Sequence, residues 1–459
     1  MKKMLWGGRF KKGPAKETID FNSAENVRLD YALVPYDIYG SLAHARMLYS
    51  REILSVSEYE AIRGALKNVL AAWRKGSFIL FPELEDVHMN VEHAVTEATP
   101  AGKKLHTARS RNDQVLLDMR LYMRDRILDT ISALGSLQNS FAELSGKDGP
   151  MSSYTHTRVA QPITVSFWCD GWSRSLARDA ERLMGAYARI NQNPLGACAI
   201  AGTAWGIDRQ ETAGLLAFDS VQENELDTIS SRGECEAEAL FALSMAGCKL
   251  SRLSEEMIWL SQKGLVSLSE EHTTGSSIMP NKLNPDVLEL VRGRSGRLYG
   301  ALMHAMVALK GIPSGYNSDM QETKFAIMGG FETALSCLHA AGMVVRGLEF
   351  HPKKIGEELD SGFAQATEIA DFLAMGGMPF REAHERTGEL IKWCEKEGLT
   401  LSQVRLKDAE GSLRVSMGKE KWEELRSLER PRLKRKVPPI RYEFVERERK
   451  RIEEAYSGL

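Results

Sequence analysis

The stretch Gly275-Ser276-Ser277-Ile278-Met279-Pro280-Asn281-Lys282-Leu283-Asn284-Pro285 gathers two serines, a lysine and two asparagines between glycine and proline punctuation. Small residues and Pro280 exclude a regular helix there. Asn284-Pro285-Asp286 predicts a helix start, with Asn284 at the N-cap, Pro285 at the first helical position and an acid in the first turn. Lys282 and the positive end of that helix would favour a bound anion, or the loss of a proton from a hydroxyl. By composition alone the stretch is a surface turn that caps a helix. Two further polar loops carry reactive groups. Lys104 to Gln114 holds Arg109 and Arg111, whose guanidinium forks match carboxylates, with Asn112 or Asp113 able to cap the next helix. Tyr154 to Pro162 sets His156 among hydroxyls and an amide, and predicts a helix entrance with Pro162 near the first turn. A structural histidine is the plainer reading, proton transfer the more specific one.

Arg111, His156, Ser276 and Lys282 together suit polar chemistry on a dicarboxylate. A β-elimination needs a base for a weakly acidic C–H proton, cations for the dianion that forms, and an acid for the leaving nitrogen or oxygen. Chemistry alone assigns the base to His156, since a serine hydroxyl is hard to ionise. No metal cluster, dinucleotide glycine motif or phosphate loop accompanies these residues, so neither cofactor nor metal is expected. His88 and His93 are five apart and share a helix face poorly, which makes each a structural histidine rather than half of a metal pair.

Long helices must position the loops. Leu29, Leu33, Tyr36, Gly40, Ala43 and Met47 predict a helix from Asn22, with Ser23 at its N-cap, and a second helix covers Val56–Arg74. Leu116 to Leu144 keeps three-four spacing over about four heptads. The same spacing runs through Leu243 to Leu260, in a helix over about 233–262, and through Leu288 to Leu309, so two long, nearly antiparallel helices flank the serine-rich loop. Stripes of this length could be shared between subunits. Tyr316 to Lys324 is a polar interruption before a helix over 325–348. Helices near 365–375, 380–396 and 414–428 read as a small lobe, and the charged tail holds one helix, 442–456, with its charges solvated. Little β alternation is present, so the expected class is all-α and three-lobed around a long central bundle, divided at 1–107, 108–352 and 353–459.

A net charge of −2 gives no general attraction to nucleic acid or to a membrane surface, and 43% hydrophobic with 27% charged residues is a globular balance. Cys169, Cys198, Cys235, Cys248, Cys337 and Cys394 are scattered without a Cys-x-x-Cys pair, which fits reduced thiols in the cytoplasm. The first residues lack the apolar run of a signal peptide, and no window has the apolar length of a membrane span.

The serine-rich stretch resembles the signature of the fumarase/aspartase superfamily, Gly-Ser-Ser-x-Met-Pro-x-Lys-x-Asn-Pro, at every fixed position. Within that superfamily the chain resembles the argininosuccinate lyase family, whose strings recur as Leu5–Phe10, Glu85–Glu92, Arg109–Gln114 and Pro379–His384. The resemblance implies reversible cleavage of argininosuccinate to arginine and fumarate without a cofactor, the last step of arginine biosynthesis. It implies a homotetramer in which each site draws on three subunits. It also implies Ser276 as the base at Cβ and His156 as the partner in acid catalysis. Ser110, Arg111, Asn112, Thr155, Lys282 and Asn284 would hold carboxylates. Tyr316, Gln321, Lys324 and Ser23 would hold the arginine-like part. The chain departs from the family at Asn281 and Leu283, at Thr157-Arg158-Val159 where Leu-Gln-Arg is common, and at Ser230-Ser231-Arg232-Gly233 where Ser-Asp-Arg-Asp is usual. Its tail after Arg430 departs as well. A sister lyase on another succinyl-nitrogen substrate or aspartate, and a non-catalytic structural protein like the lens crystallins that resemble this family, are the competing readings.

Overall fold

The computed structural model describes residues 15–459; the Leu5–Phe10 string lies outside them. Helix α1 (Lys16–Asp30) and α2 (Val34–Ser50) replace the single helix expected from Asn22. Ser23 is therefore buried in mid-helix rather than capping one. The break has a chemical cause: Pro35 lies in the first turn of α2 and cannot donate the bond that would continue α1. Helix α3 (Val56–Arg74) has the expected bounds. Ser55 caps it reciprocally with Glu58, and Ile62, Leu66, Val69 and Leu70 form its buried face. Helix α4 (Val87–Ala98) follows, capped by Asp86.

The centre is a bundle of long helices. Helix α5 (Arg111–Ser145) is capped by Ser110, with Asp113 returning the bond, so neither Asn112 nor Asp113 is itself the cap. Helix α6 (Val165–Ile190) is capped by Thr164. Short helices α7 (Arg209–Leu215) and α8 (Glu225–Ser230) lead to α9 (Glu234–Gln262), α10 (Asp286–Leu309) and α11 (Glu322–Arg346). Gly233, at the start of α9, meets Leu309 at the end of α10 and Thr323 at the start of α11. At the far end, Val266–Ser267 after α9 pair with Glu349–Phe350 after α11. So α9 and α11 run one way and α10 returns between them. Glycine suits position 233 for a visible reason. Its φ is +91°, and a Cβ there would sit 2.5 Å from Leu309.

Between α5 and α6 the chain is not a loop entering a helix at Pro162. It is an antiparallel hairpin, β1 (Pro150–Thr155) and β2 (Arg158–Thr164). Threonines, Tyr154, Val159 and Ile163 favour strand, and Pro162 is tolerated where a ladder donor is not needed. Thr155 pairs with Arg158, which leaves His156 and Thr157 as a two-residue turn, and both have positive φ (51° and 59°). That is the primed-turn geometry of tight hairpins. The remaining strands are two-residue ribbons and leave the fold all-α: β3 (Gln192–Asn193) with β4 (Ser220–Val221), β5 (Val266–Ser267) with β8 (Glu349–Phe350), and β6 (Thr274–Gly275) with β7 (Leu283–Asn284).

After the bundle come α12 (Pro352–Ser361), α13 (Ala366–Met375) and α14 (Phe380–Glu397). The helix expected over 414–428 is instead α15 (Leu406–Leu413) and α16 (Lys419–Arg426), because Arg414 turns left-handed (φ 54°) and ends the first. Ile369, Leu373, Leu390, Leu413 and Trp422 belong to a separate small core, while the main core runs from Val27 to the C-terminal helix α17 (Glu443–Ser457). The charged tail is solvated on one face only. Val445 and Ile452 are buried, and the Tyr456 ring stacks on Tyr39 at 3.9 Å. Among the described residues no helix is long and apolar enough to cross a membrane, and all six cysteines are unpaired.

One buried ion cluster sets a pH dependence. His88 Nδ1 lies 2.8 Å from Asp37 and 3.4 Å from Asp118, all three side chains being buried. Burial alone would depress this imidazole, but the bond to Asp37 and the charges of both aspartates raise it to about 9. The folded chain thus holds a proton that the unfolded chain releases near pH 6.5. The stabilisation is complete below that pH and is lost as the pH rises through 9. We expect Tm to fall between pH 7 and 9.5, and His88→Asn to cost about 3 kcal/mol at pH 7 while flattening that slope. An unchanged slope in His88→Asn would assign it to other groups.

Candidate functional site

The residues singled out above divide between the two ends of the bundle. At one end, the loop between β6 and β7 carries Ser276 and Lys282. Thr274 pairs with Asn284 and Gly275 with Leu283, so a short ribbon separates the loop from α10. The helix begins at Asp286 with Pro285 in the cap position, one residue later than expected, and Asn284 Nδ2 reaches Gly275 O at 3.4 Å instead of capping. Ser276 Oγ accepts the backbone N–H groups of Met279 (3.0 Å) and Ile278 (3.3 Å). Two donors on one hydroxyl oxygen lower the cost of its anion, which the helix start was expected to do. Lys282 is exposed.

The hairpin lies at the same end. Tyr154 packs its ring on Trp259, near the end of α9, at 4.4 Å. Thr155 and His156 follow at the tip and are exposed. Proton transfer in water-filled surroundings gains little from positioning, so these groups need a cover before they can work as acid or base.

The opposite end holds the other set. Ser110 caps α5, and Arg111 Nη1 donates to Glu85 (2.7 Å) and Asp86 (2.9 Å). Arg111 is thus already paired, with part of its guanidinium left in solvent. Asn112 Nδ2 donates to Ala199 O at 3.2 Å and ties α5 to the turn after Asn193. Asp113 accepts the N–H groups of Ser110, Gly196 and Cys198. Burial pushes its carboxyl up to about 6, against those three bonds. Gln321 Nε2 donates to the Tyr316 hydroxyl at 2.8 Å, and the Arg232 guanidinium lies 5.3 Å over the Tyr316 ring. Lys324 is buried, with Nζ on Asn26 Oδ1 at 2.7 Å and on Asp30. That brings α1, and with it buried Ser23, onto the start of α11.

Asn26, Asp30 and Arg232 were not picked out from the sequence. A signal for the first two existed: Ser23, Asn26 and Asp30 follow at three and four residues and share one face of α1. Arg232 gives no such sign, because its partner Tyr316 is far along the chain. Among the described residues, Asp37, His88 and Asp118 are a group whose ligand atoms, within 4.8 Å of one another, could hold a metal. The contact of the imidazole with Asp37 at 2.8 Å also lets the same cluster stand as a buried ion pair.

The two sets cannot meet within one chain. Helix α10, Asp286–Leu309, starts beside the Ser276 loop and ends beside Gly233, and its 24 residues span about 36 Å. Near its end Tyr299, Met303, Met306 and Val307 are exposed on one face, and Phe241 on α9 lines the same surface as Tyr299, Met303 and Met306. Exposed apolar side chains gathered on one face of a bundle helix are the pattern of an interaction surface.

The chain matches known proteins over most of its length. Residues 11–300 match a family model described as Lyase, and residues 363–430 match one described as Argininosuccinate lyase C-terminal. It is 42% identical over 408 residues to an argininosuccinate lyase of Syntrophus aciditrophicus (strain SB), covering 88% of this chain and 86% of that one. A second, from Ruminiclostridium cellulolyticum, is 40% identical over 88% of each chain. Among solved structures, an EDDS lyase in complex with formate superposes with a TM-score of 0.76 at 26% identity, covering 94% of this chain and 86% of that one. With a lyase model over more than half its length and these identities over nearly nine-tenths of it, the chain belongs to the argininosuccinate lyase family.

Proposed function

We propose that this chain cleaves argininosuccinate reversibly to L-arginine and fumarate, in a site built from more than one copy of the chain. The observation that carries the shared site is the separation of its two polar halves by the length of α10, with Lys282 and His156 exposed and Ser276 half-buried at one end, and Arg111 half-buried at the other. Family membership supports the substrate, and the chain keeps every chemical group that the elimination requires.

In this reading Ser276 Oγ, with N–H groups of residues 278 and 279 on its oxygen, takes the proton from the substrate carbon beside a carboxylate. The electron pair moves into that carboxylate and gives a dianion. Lys282 and Asn284 from the serine loop, Thr155 from the hairpin, and Ser110, Arg111 and Asn112 from the start of α5 hold the carboxylates and stabilise the charge. The C–N bond then breaks, the electron pair leaves with the guanidino nitrogen, and His156 protonates it. Tyr316, Gln321, Lys324 and Ser23 hold the arginine-like part. No group in this sequence of steps calls for a cofactor or a metal. The exposed apolar surface on α9 and α10 is the contact through which a cytoplasmic homotetramer forms, and in that assembly a neighbouring copy covers Ser276 and His156. The reading places the chain at the final step of arginine biosynthesis.

The test is stoichiometric. With no cofactor added, one arginine should appear for each fumarate released from argininosuccinate, and arginine plus fumarate should give argininosuccinate back. Fumarate without arginine, or no reaction by a folded oligomer, would contradict the reading.

A further inference from the structure

The hairpin that carries Thr155 and His156 is tied to the rest of the molecule one residue before them. The Tyr154 hydroxyl donates to Glu358 Oε2 at 2.5 Å, and Lys263 Nζ donates to the other oxygen of the same carboxylate. Lys263 also lies 4.6 Å from the centre of the Tyr154 ring and 4.5 Å from that of Trp259. The outer strand rests on the same helix: a Cβ on Gly362, at the end of α12, would come within 3.0 Å of Val159. By contrast, among the described residues no side chain hydrogen-bonds the His156 ring. Its direction is set by the backbone of a two-residue turn, and the turn by what holds Tyr154.

We infer that Glu358, with Lys263 and Tyr154, is a positioning device for His156, through which helix α12 fixes where the imidazole is presented. This rests on the proton-transfer role proposed for His156 above. The bond is charge-assisted. Burial and the neighbouring Glu358 push the Tyr154 phenol up, so it stays a donor. Although burial opposes it, hydrogen bonds from Lys263 and Tyr154 hold the Glu358 carboxyl below its ordinary range, so it stays an acceptor. A two-residue turn is stiff, and Tyr154 is paired directly across from Val159. A shift of Tyr154 is therefore passed to His156 rather than absorbed. A displacement of about 1 Å at a proton-transfer group is enough to lower a rate severely, while substrate binding by other residues is unaffected.

The experiment uses the full-length oligomer with argininosuccinate. Tyr154→Phe keeps the ring contacts and removes only the hydroxyl, and Glu358→Gln removes the charge and replaces one of the two accepting oxygens with a donor, so it cannot accept from both Tyr154 and Lys263. Each should lower kcat about tenfold with KM changed less than about twofold. The double variant should be no worse than either single one, since both cut the same bond. Unchanged kcat per folded oligomer, with only Tm lowered, would reduce the cluster to a structural tie and overturn the inference. His156→Asn measured alongside separates the two levels. If it keeps normal kcat, the proton-transfer role falls and the inference with it. If it is inactive while Tyr154→Phe and Glu358→Gln retain full kcat, the role stands and the positioning device is refuted.

Discussion

Ser276→Ala should lower kcat on argininosuccinate roughly 10³-fold, the scale of a lost general base, with the fold and Tm unchanged. The Ser276 hydroxyl makes its bonds inside its own loop, to the N–H groups of Ile278 and Met279, and no helix contact depends on it. Removing it deletes the oxygen that would take the Cβ proton and leaves the carboxylate holders in place. KM should therefore move little, and the variant should bind substrate without turning it over. Activity within tenfold of normal would take Ser276 out of the proton transfer. The base would then be His156, as acidity alone would suggest.

Mixing two inactive variants from opposite ends of the bundle should restore activity. Ser276→Ala damages the end that holds the loop and hairpin, and Arg111→Met the end that holds the start of α5. If one site needs the first residue from one copy and the second from another, random reassembly of equal amounts leaves about a quarter of sites with both groups intact. If a site drew both from the same copy, no mixture could repair it, so the expected effect runs from near zero to about a quarter of normal activity. Ser276→Ala mixed with His156→Asn asks a finer question, because these two residues lie at the same end of one chain. Recovery in that pair would show that even neighbouring loops serve different sites. No recovery for Ser276→Ala with Arg111→Met, in proven hybrid oligomers, would contradict the shared site.

Much of this arrangement was legible in the sequence. The long three-four stripes gave α5, α9 and α10 nearly to the residue, because a bundle helix repeats its signal over many turns. Local competition limited the rest. Pro35 split the first helix and moved Ser23 from a cap into a buried position. The hairpin was missed because a short ribbon with Pro162 in it offers only a few alternating residues, and its turn at His156 and Thr157 lacks the glycine that usually announces one. The tail looked wholly solvated because its charges outnumber the two residues, Val445 and Ile452, that seat it. At the candidate site, the residues proposed to bear chemistry stood out as types in polar loops, except Ser23, which read as a helix cap. Their division between two ends was not, since spacing along the chain does not say which end of a bundle a loop occupies. The partners Asp30 on Lys324 and Glu85 on Arg111 were hidden for the same reason.

The most direct measurement is fumarate release, followed by its ultraviolet absorbance, with argininosuccinate, adenylosuccinate and aspartate offered in parallel to the purified oligomer. Fumarate from argininosuccinate alone is the predicted result. Fumarate from either of the others, with argininosuccinate left intact, would keep the elimination chemistry and contradict the substrate; no fumarate from any of the three, in a folded oligomer, would contradict the catalytic reading itself.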